Sequence, residues 1–371
     1  MKNNLKKYTE NKLIIEIFNK VKHAQISNFQ IIFLVYFLIF SIFLFLSFPS
    51  IYDYNKNYKK EVIEKTYSDF KIHLTNISDI NYRFVPTPHL VIKSVDIKLN
   101  KDKKEISTVK NLKLFISILE LYKEKKILIH EMKIDKANIY FDKISLNAFN
   151  KHLKDKIIKP INIKKSNFFY KNKKEQIVTI SPIKNINYFI NFTSKEKKLN
   201  IKGKLFDINY NLLWNKNYNN PNLSNFLVDF KNPNIRIDNK LNQLPENNYE
   251  GMFKLSFIGN NVIVKYNYDG KSLNFNTLNS KNSKYHLKGN IDSNPFYFEV
   301  DSEIKDLDLD FVINYLLLNI YKYENSIHKN INGAFSIKFS NMKQSILKNG
   351  LINLNLKESK IKLKNSNFDI K

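Results

Sequence analysis

The sequence predicts a mainly β protein, with one transmembrane helix near the N-terminus followed by a long, curled antiparallel β-sheet that leaves an open groove and has few helices. Three observations predict it: an uncharged apolar run at residues 31–48, hydrophobic alternation of period two from about residue 80 almost to the end, and turn residues between the alternating segments. They divide the chain into a cytoplasmic tail (1–28), an anchor helix (29–49), a juxtamembrane helix (50–78) and a β domain (79–371).

The anchor is the run from Ile31 to Phe48, which Pro49 closes. A spanning helix needs about 20 mostly apolar residues, and the run reaches that length with Phe29 and Gln30. A cleavable signal peptide would have a shorter apolar region nearer the start and small residues after it, whereas a polar tail precedes this run and bulky residues follow. These flanks favour an uncleaved anchor.

Lysines flank both ends of the anchor, so the charge rule barely decides its orientation. A short N-terminal tail usually stays inside, while a long C-terminal domain translocates largely regardless of its charge. We therefore expect the N-terminus in the cytoplasm and residues 50–371 outside it, which in a double-membrane bacterium is the periplasm.

The net charge of +27 invites a nucleic-acid interpretation, but it comes almost entirely from lysine. Arg83 and Arg236 are the only arginines, and arginine is the residue that reads guanine edges and clamps phosphate. The lysines are also scattered, so no nucleic-acid partner is predicted. Weak attraction to anionic lipid headgroups fits them better. With no cysteine, the chain has no disulfide and no thiolate chemistry.

Helical spacing appears in three places outside the anchor. Residues 13–21 fit either a short amphipathic helix on the inner membrane surface or a solvated tail. Residues 55–70 form an amphipathic juxtamembrane helix that needs a partner for its apolar side. Residues 309–321 follow an Asp-rich start and form one helix within the β region.

The clearest strands lie between Met252 and Asp301, where alternating segments meet at Gly259-Asn260 and Asp269-Gly270. This spacing predicts an antiparallel meander with one apolar face. Residues 215–225 are rich in asparagine and are interpreted as a long loop or a weak domain boundary.

No catalytic constellation is visible, so we expect no enzyme, no cofactor and no metal. His130-Glu131 lacks the second histidine of a zinc helix and lies in an alternating strand. The acidic residues of 301–310 lack the glycine and final glutamate of a calcium loop, so a solvated sheet edge and helix start explains them better.

Several segments resemble the AsmA family of bacterial inner-membrane-anchored periplasmic proteins, which are related to bridge-type lipid transfer proteins. Behind the anchor and the 55–70 helix comes Tyr82-Arg-Phe-Val-Pro-Thr-Pro-His-Leu-Val-Ile, similar to the family's aromatic and Pro-x-Pro element. Residues 109–121 and 126–141 follow and resemble the family's succession of a strand, a short Leu-rich turn and two further strands. The match is best over 29–142 and weaker over 250–371. The resemblance implies binding and passive transport of phospholipid between inner and outer membrane, in support of outer-membrane integrity.

The alternation leaves two architectures open. A long twisted sheet that closes only partly leaves an apolar trough, whereas two packed sheets would bury the same side chains in a closed sandwich. In the open form, strand parity selects eight candidate lipid-contacting residues, which a one-residue register error would turn to the other face. They are Phe253, Leu255, Phe257, Val262, Val264, Phe275, Leu287 and Phe298. In the closed form, the alternative function is a scaffold or assembly factor for outer-membrane proteins that recruits an outer-membrane or periplasmic protein partner by its strand edges.

Overall fold

The computed structural model describes residues 28–98, 107–142, 145, 159–172, 174–217, 219–220, 222–232, 234–245, 248–257, 260–278, 284–293, 295–306, 322, 327–341 and 347–370. It confirms the mainly β fold class: one apolar N-terminal helix precedes a single sheet of twenty strands. The expected helices at 13–21 and 309–321, and the turn at Gly259, lie outside the described residues.

Four α-helices are described, all before or beside the first strands. They are α1 (Asn28–Ser47), α2 (Tyr54–Asn57), α3 (Lys59–Phe70) and α4 (Ile118–Glu124), with a 3₁₀ helix at Phe48–Ile51. The predicted juxtamembrane helix is thus divided in two. Asp53 caps α2 by accepting from the backbone N–H groups of Asn55 and Lys56, and the chain bends at Tyr58 before α3 begins.

The strands occupy most of the rest of the chain. They are β1 (His73–Thr75), β2 (Ile80–Arg83), β3 (His89–Ile92), β4 (Val95–Lys98), β5 (Ser107–Ile116), β6 (Ile129–Phe141), β7 (Ile161–Lys171), β8 (Ile177–Asn191), β9 (Glu196–Leu205), β10 (Ile208–Asn217), β11 (Leu223–Lys231), β12 (Ile235–Gln243), β13 (Tyr249–Phe257), β14 (Asn260–Tyr268), β15 (Ser272–Thr277), β16 (Tyr285–Ser293), β17 (Phe296–Lys305), β18 (Asn332–Ser340), β19 (Leu347–Lys357) and β20 (Lys360–Ile370). The sheet therefore begins at His73, before the expected boundary at residue 79.

The strands lie in nearly their chain order. Strands β1 and β2 pair with β4 and β3, which lie end to end along β5, and from β5 to β20 each strand pairs with the next. The edge formed by β1 and β2 does not pair with β20 among the described strands, so the sheet is open. At about 4.8 Å per strand, it measures about 80 Å along its curve.

Two pairs, β6–β7 and β17–β18, are parallel, so the expectation of a wholly antiparallel sheet is wrong at these places. Parallel neighbours need a crossover connection because a tight turn can only reverse the chain. The connections run from residue 142 to 160 and from 306 to 331. The second connection is where the sequence predicts its one helix within the β region.

The N-terminal strands have a closed hydrophobic core because α3 covers them. Helix α3 directs Val62, Thr66 and Phe70 inward, and all three are fully buried. Beneath them lie side chains of β3, β5 and β6 that retain no accessible surface: Leu90, Ile92, Val109, Leu112, Leu114, Ile129 and Met132. Helix α3 and these strands therefore form two packed layers.

The Asn-rich stretch is neither a long loop nor a boundary. Asn215 and Asn225 are directly paired across β10 and β11, so both ends of the stretch belong to the sheet. The alternation of β5 ends at Ile116, and Ile118 begins α4, whose start Ser117 caps.

Candidate functional site

The eight residues selected by strand parity lie on one face of the sheet, here called the inner face. Phe253 lies opposite Val264, Leu255 lies opposite Val262, and Phe275 lies opposite Tyr266 on the next strand. Leu287 and Phe298 belong to the same face through the pairing of β16 with β15 and β17. Asn274, of opposite parity, is exposed on the outer face. The structure therefore brings the predicted residues together.

The inner face differs from the N-terminal core in how much of it is covered. Val262 and Val264 are buried, with 6% and 0% of their surface exposed. The other six predicted residues are half-buried. Their neighbours on the sheet cover the flanks of these side chains and leave part of each side chain accessible. We call the apolar inner face of β7–β20 the trough; it is mostly half-exposed over β9–β17 and buried over β18 and β19, where Ile337 and Phe339 have no exposed surface.

Glycines give the trough an unusual floor. Five of the chain's seven glycines lie on the inner face, each directly opposite an aromatic residue of a neighbouring strand. A Cβ added at Gly251, Gly289 or Gly333 would lie 2.5–2.6 Å from the nearest side-chain atom of Tyr266, Phe275 or Phe298, respectively. The rings therefore lie flat over the glycines instead of standing away from the sheet. Alternation predicted the aromatic residues of this face but not their pairing with glycine. The signal for that pairing in the sequence is that glycines occupy positions of inner-face parity.

The polar groups of the inner face are partly paired with one another. The Asn239 amide donates to the Tyr266 hydroxyl at 2.9 Å, and the hydroxyls of Ser181 and Tyr210 lie 3.1 Å apart. Burial raises the pKa of both tyrosines above the ordinary value, so they are uncharged at neutral pH. Mutual hydrogen bonding lowers the cost of placing these groups on an apolar surface.

The two rims of the trough meet at one place, here called the seam. Val178 at the start of β8 packs in one cluster with Ile331, just before β18, and Leu356, near the end of β19. Beside it, the Asn330 amide donates to the Ile177 carbonyl at 2.6 Å. The sheet thus curls far enough for strands distant in the chain to touch. Nothing in the local alternation indicated this contact.

The other end of the sheet is attached to α1. The hydroxyl of Tyr82 donates to the carbonyl of Leu46 at 2.7 Å, and that of Tyr122 donates to the carbonyl of Phe45 at 2.6 Å. Pro49 has no N–H to give to the Phe45 carbonyl four residues earlier, so Tyr122 supplies the missing donor. The sheet is therefore attached to the end of the apolar helix.

Within the part of the chain that the structure describes, no three His, Asp or Glu side chains gather as a metal site requires. Of the acidic residues near β17, Asp301 lies 3.5 Å from Lys288 and Glu303 lies 3.9 Å from Lys338, while Asp308 and Asp310 are not among the described residues.

Fold and site together define a class of protein: one apolar helix, compatible with a single-pass membrane anchor, joined to an open mixed β-sheet that carries a long apolar trough. Within the segment 31–51, an 18-residue window has a mean hydropathy of 2.8, and no residue of that window is buried against the rest of the chain. No protein-family model matches the sequence, and no curated protein matches it.

Proposed function

We propose that this chain is an AsmA-like protein of the bacterial inner membrane that binds phospholipid in the trough and carries it passively toward the outer membrane, maintaining that membrane. The observation that carries the proposal is the apolar inner face, which is mostly half-exposed over the neighbouring strands β9–β17. In this proposal the N-terminus is cytoplasmic and the sheet is periplasmic.

Binding follows from the hydrophobic effect. Each methylene that moves from water onto an apolar surface contributes about 0.8 kcal/mol when fully buried, so an acyl chain gains several kcal/mol along a few strands. The flat rings over the glycines leave room for it. The headgroup stays in water at the rim, where lysines favour anionic headgroups.

Movement requires no chemical step in this account. Neighbouring strands offer an acyl chain similar apolar contacts, so a displacement by one strand, about 4.8 Å, exchanges equivalent interactions. The pairing of Asn239 with Tyr266 and of Ser181 with Tyr210 limits the polar barriers along the way. The direction of net transfer is then set by lipid supply and removal at the two ends.

The decisive experiment is photocrosslinking in cells from a photoreactive phenylalanine analogue at Phe275. The matched control is the same analogue at Asn274, the adjacent residue on the outer face. We expect phospholipid adducts at Phe275 and none at Asn274. Adducts to protein alone, or equal lipid adducts at both positions, would refute lipid binding in the trough.

The outer edge of β20, which pairs with no other described strand, supports a second candidate, a scaffold for outer-membrane proteins. Among the described strands β20 pairs with β19 alone, and an unpaired edge can accept a partner's strand. A proline at Lys362 tests this, because it cannot donate to a strand ladder. Loss of partner capture while Phe275 still gives normal lipid adducts would favour the scaffold. Normal partner capture with loss of the lipid adducts would favour lipid transport.

A further inference from the structure

The surface around the end of α1 carries apolar side chains that the protein does not cover. Val85, in the loop between β2 and β3, is 67% exposed, and Leu119, in the first turn of α4, is 57% exposed. Scattered exposed apolar residues are ordinary on protein surfaces, so exposure alone assigns nothing to them. The position of Val85 and Leu119 relative to α1 does point to a role.

The contacts of their neighbours give the depth of these residues along α1. The ring of Phe84 meets that of Phe43 edge to face, with centroids 5.2 Å apart. The ring of Tyr122 lies 4.8 Å from that of Phe45. Leu119 precedes Tyr122 by three residues and so lies on the same side of α4. Both exposed residues therefore flank the last turns of α1.

The length of α1 turns this position into a depth in the bilayer. Its 20 residues extend about 30 Å at 1.5 Å per residue, the thickness of the hydrocarbon core. Phe43 lies four residues before the helix end, about 6 Å inside it. A ring in contact with Phe43 is then at the boundary between acyl chains and headgroups, where interfacial elements bury their apolar sides by about 5–10 Å.

We propose that the 84–88 loop and the start of α4 insert into the leaflet at the C-terminal end of α1, with Val85 and Leu119 among the acyl chains. We call these two residues with Lys123 and Lys125 the membrane-contact patch. Both lysines are exposed at the end of α4, where ammonium groups attract anionic headgroups. The partner is the bilayer surface itself, so the inference stands independently of lipid transport.

The insertion fixes the orientation of the sheet on the membrane. A single helix joined through a flexible linker would let the sheet pivot, but two tyrosine hydrogen bonds and two inserted side chains hold it at several points. The first strands are then seated at the membrane surface and β20 is the edge farthest along the sheet from them.

Because the chain has no cysteine, Val85→Cys and Leu119→Cys each create one labelling site in the full-length protein. Each variant is labelled with an environment-sensitive fluorophore and reconstituted in vesicles of phosphatidylcholine with a minority of phosphatidylglycerol. Asn274→Cys on the outer face is the matched control. Quenching is measured with lipids brominated near the carbonyl end of the acyl chain and with aqueous iodide.

We expect the probes at residues 85 and 119 to be quenched several-fold more by brominated lipid than the control, and to be shielded from iodide. Iodide quenching equal to that of the control at both positions would overturn the proposal. Thermal unfolding that matches the unlabelled parent shows that each labelled variant is folded. Failure of lipid crosslinking at Phe275 leaves this result unaffected, so the two proposals fail separately.

Discussion

Replacing Gly350 by alanine tests whether flat aromatic rings require the inner-face glycines. The three atoms nearest to a Cβ at this position are all ring carbons: Phe339 Cε2 at 2.6 Å, Phe368 Cδ1 at 2.8 Å and Phe339 Cδ2 at 2.9 Å. Phe339 is fully buried, whereas Phe368 is 46% exposed and has room to move. The clash with Phe339 is therefore the one that the fold cannot relieve.

Two opposing effects set the magnitude. Alanine restricts the unfolded chain and would stabilise the protein by about 0.4–1 kcal/mol if the site had room. Forcing a methyl group into a packed site costs about 1–3 kcal/mol. We expect a net loss of about 1–2 kcal/mol in the free energy of unfolding, because 2.6 Å is far inside van der Waals contact.

The assay is urea unfolding of the full chain in detergent, followed by circular dichroism. Lys357→Ala, an exposed position on the same strand, is the control and should change stability by less than about 0.5 kcal/mol. In a Phe339→Leu background the penalty of Gly350→Ala should fall by about 1 kcal/mol or more, which is the coupling expected of residues in contact. A neutral Gly350→Ala, or an equal penalty in both backgrounds, would refute the reasoning.

Four further predictions concern the core, the trough and the charged groups. Leu114→Ala, in the fully covered core, should cost about 2–5 kcal/mol of stability. Leu287→Ala, on the half-exposed inner face, should cost less than about 1.5 kcal/mol by the same assay and should instead reduce lipid adducts. Burial lowers the pKa of His89, so its folded pKa lies below the unfolded value of about 6.5 and its contribution to stability is complete above that pH and lost as the pH falls below it. In urea titrations at several pH values, the slope of the free energy of unfolding against pH that His89 contributes should not exceed about 1.4 kcal/mol per pH unit. An unchanged slope in His89→Gln would contradict this assignment. Lys159→Met removes the 2.8 Å ion pair with Asp69 that fastens the end of α3 to the start of β7, and should cost about 1–3 kcal/mol. As the check, Asp69→Asn should lower the free energy of unfolding by a similar amount, and the double variant should lose much less than the sum of the two single losses. Additive losses would rule out a stabilising ion pair.

Alternation was sufficient to identify the inner face because hairpins fix register. Within β13–β15 each strand is joined to the next by a short connection, so the parity of Phe253 determines which residues of β14 share its face. The Asp269 carboxylate accepts from the backbone N–H groups of Lys271 and Ser272, which holds the connection that the sequence predicted at Asp269-Gly270. Local chemistry therefore determined the arrangement of the predicted residues.

Features that join distant residues could not be predicted in the same way. The parallel pairing of β17 with β18 depends on where a long connection returns, which period-two alternation does not encode. The hydrogen bonds from Tyr82 and Tyr122 to α1 link segments that are 36 and 77 residues apart. The division of α2 from α3 arises from the Asp53 cap, whose competition with a continuous helix the hydrophobic spacing does not reveal.

The seam also bears on the order in which the chain acquires its structure. Most strand pairs join neighbours in the chain, so the sheet can grow one hairpin at a time with little loop-closure entropy at each step. Asn330 and Ile177, in contrast, are 153 residues apart and cannot meet until the strands between them have formed. We therefore expect the two rims to close late, after the strands between them have assembled, so that the Asn330 hydrogen bond reports that β8–β17 are in place.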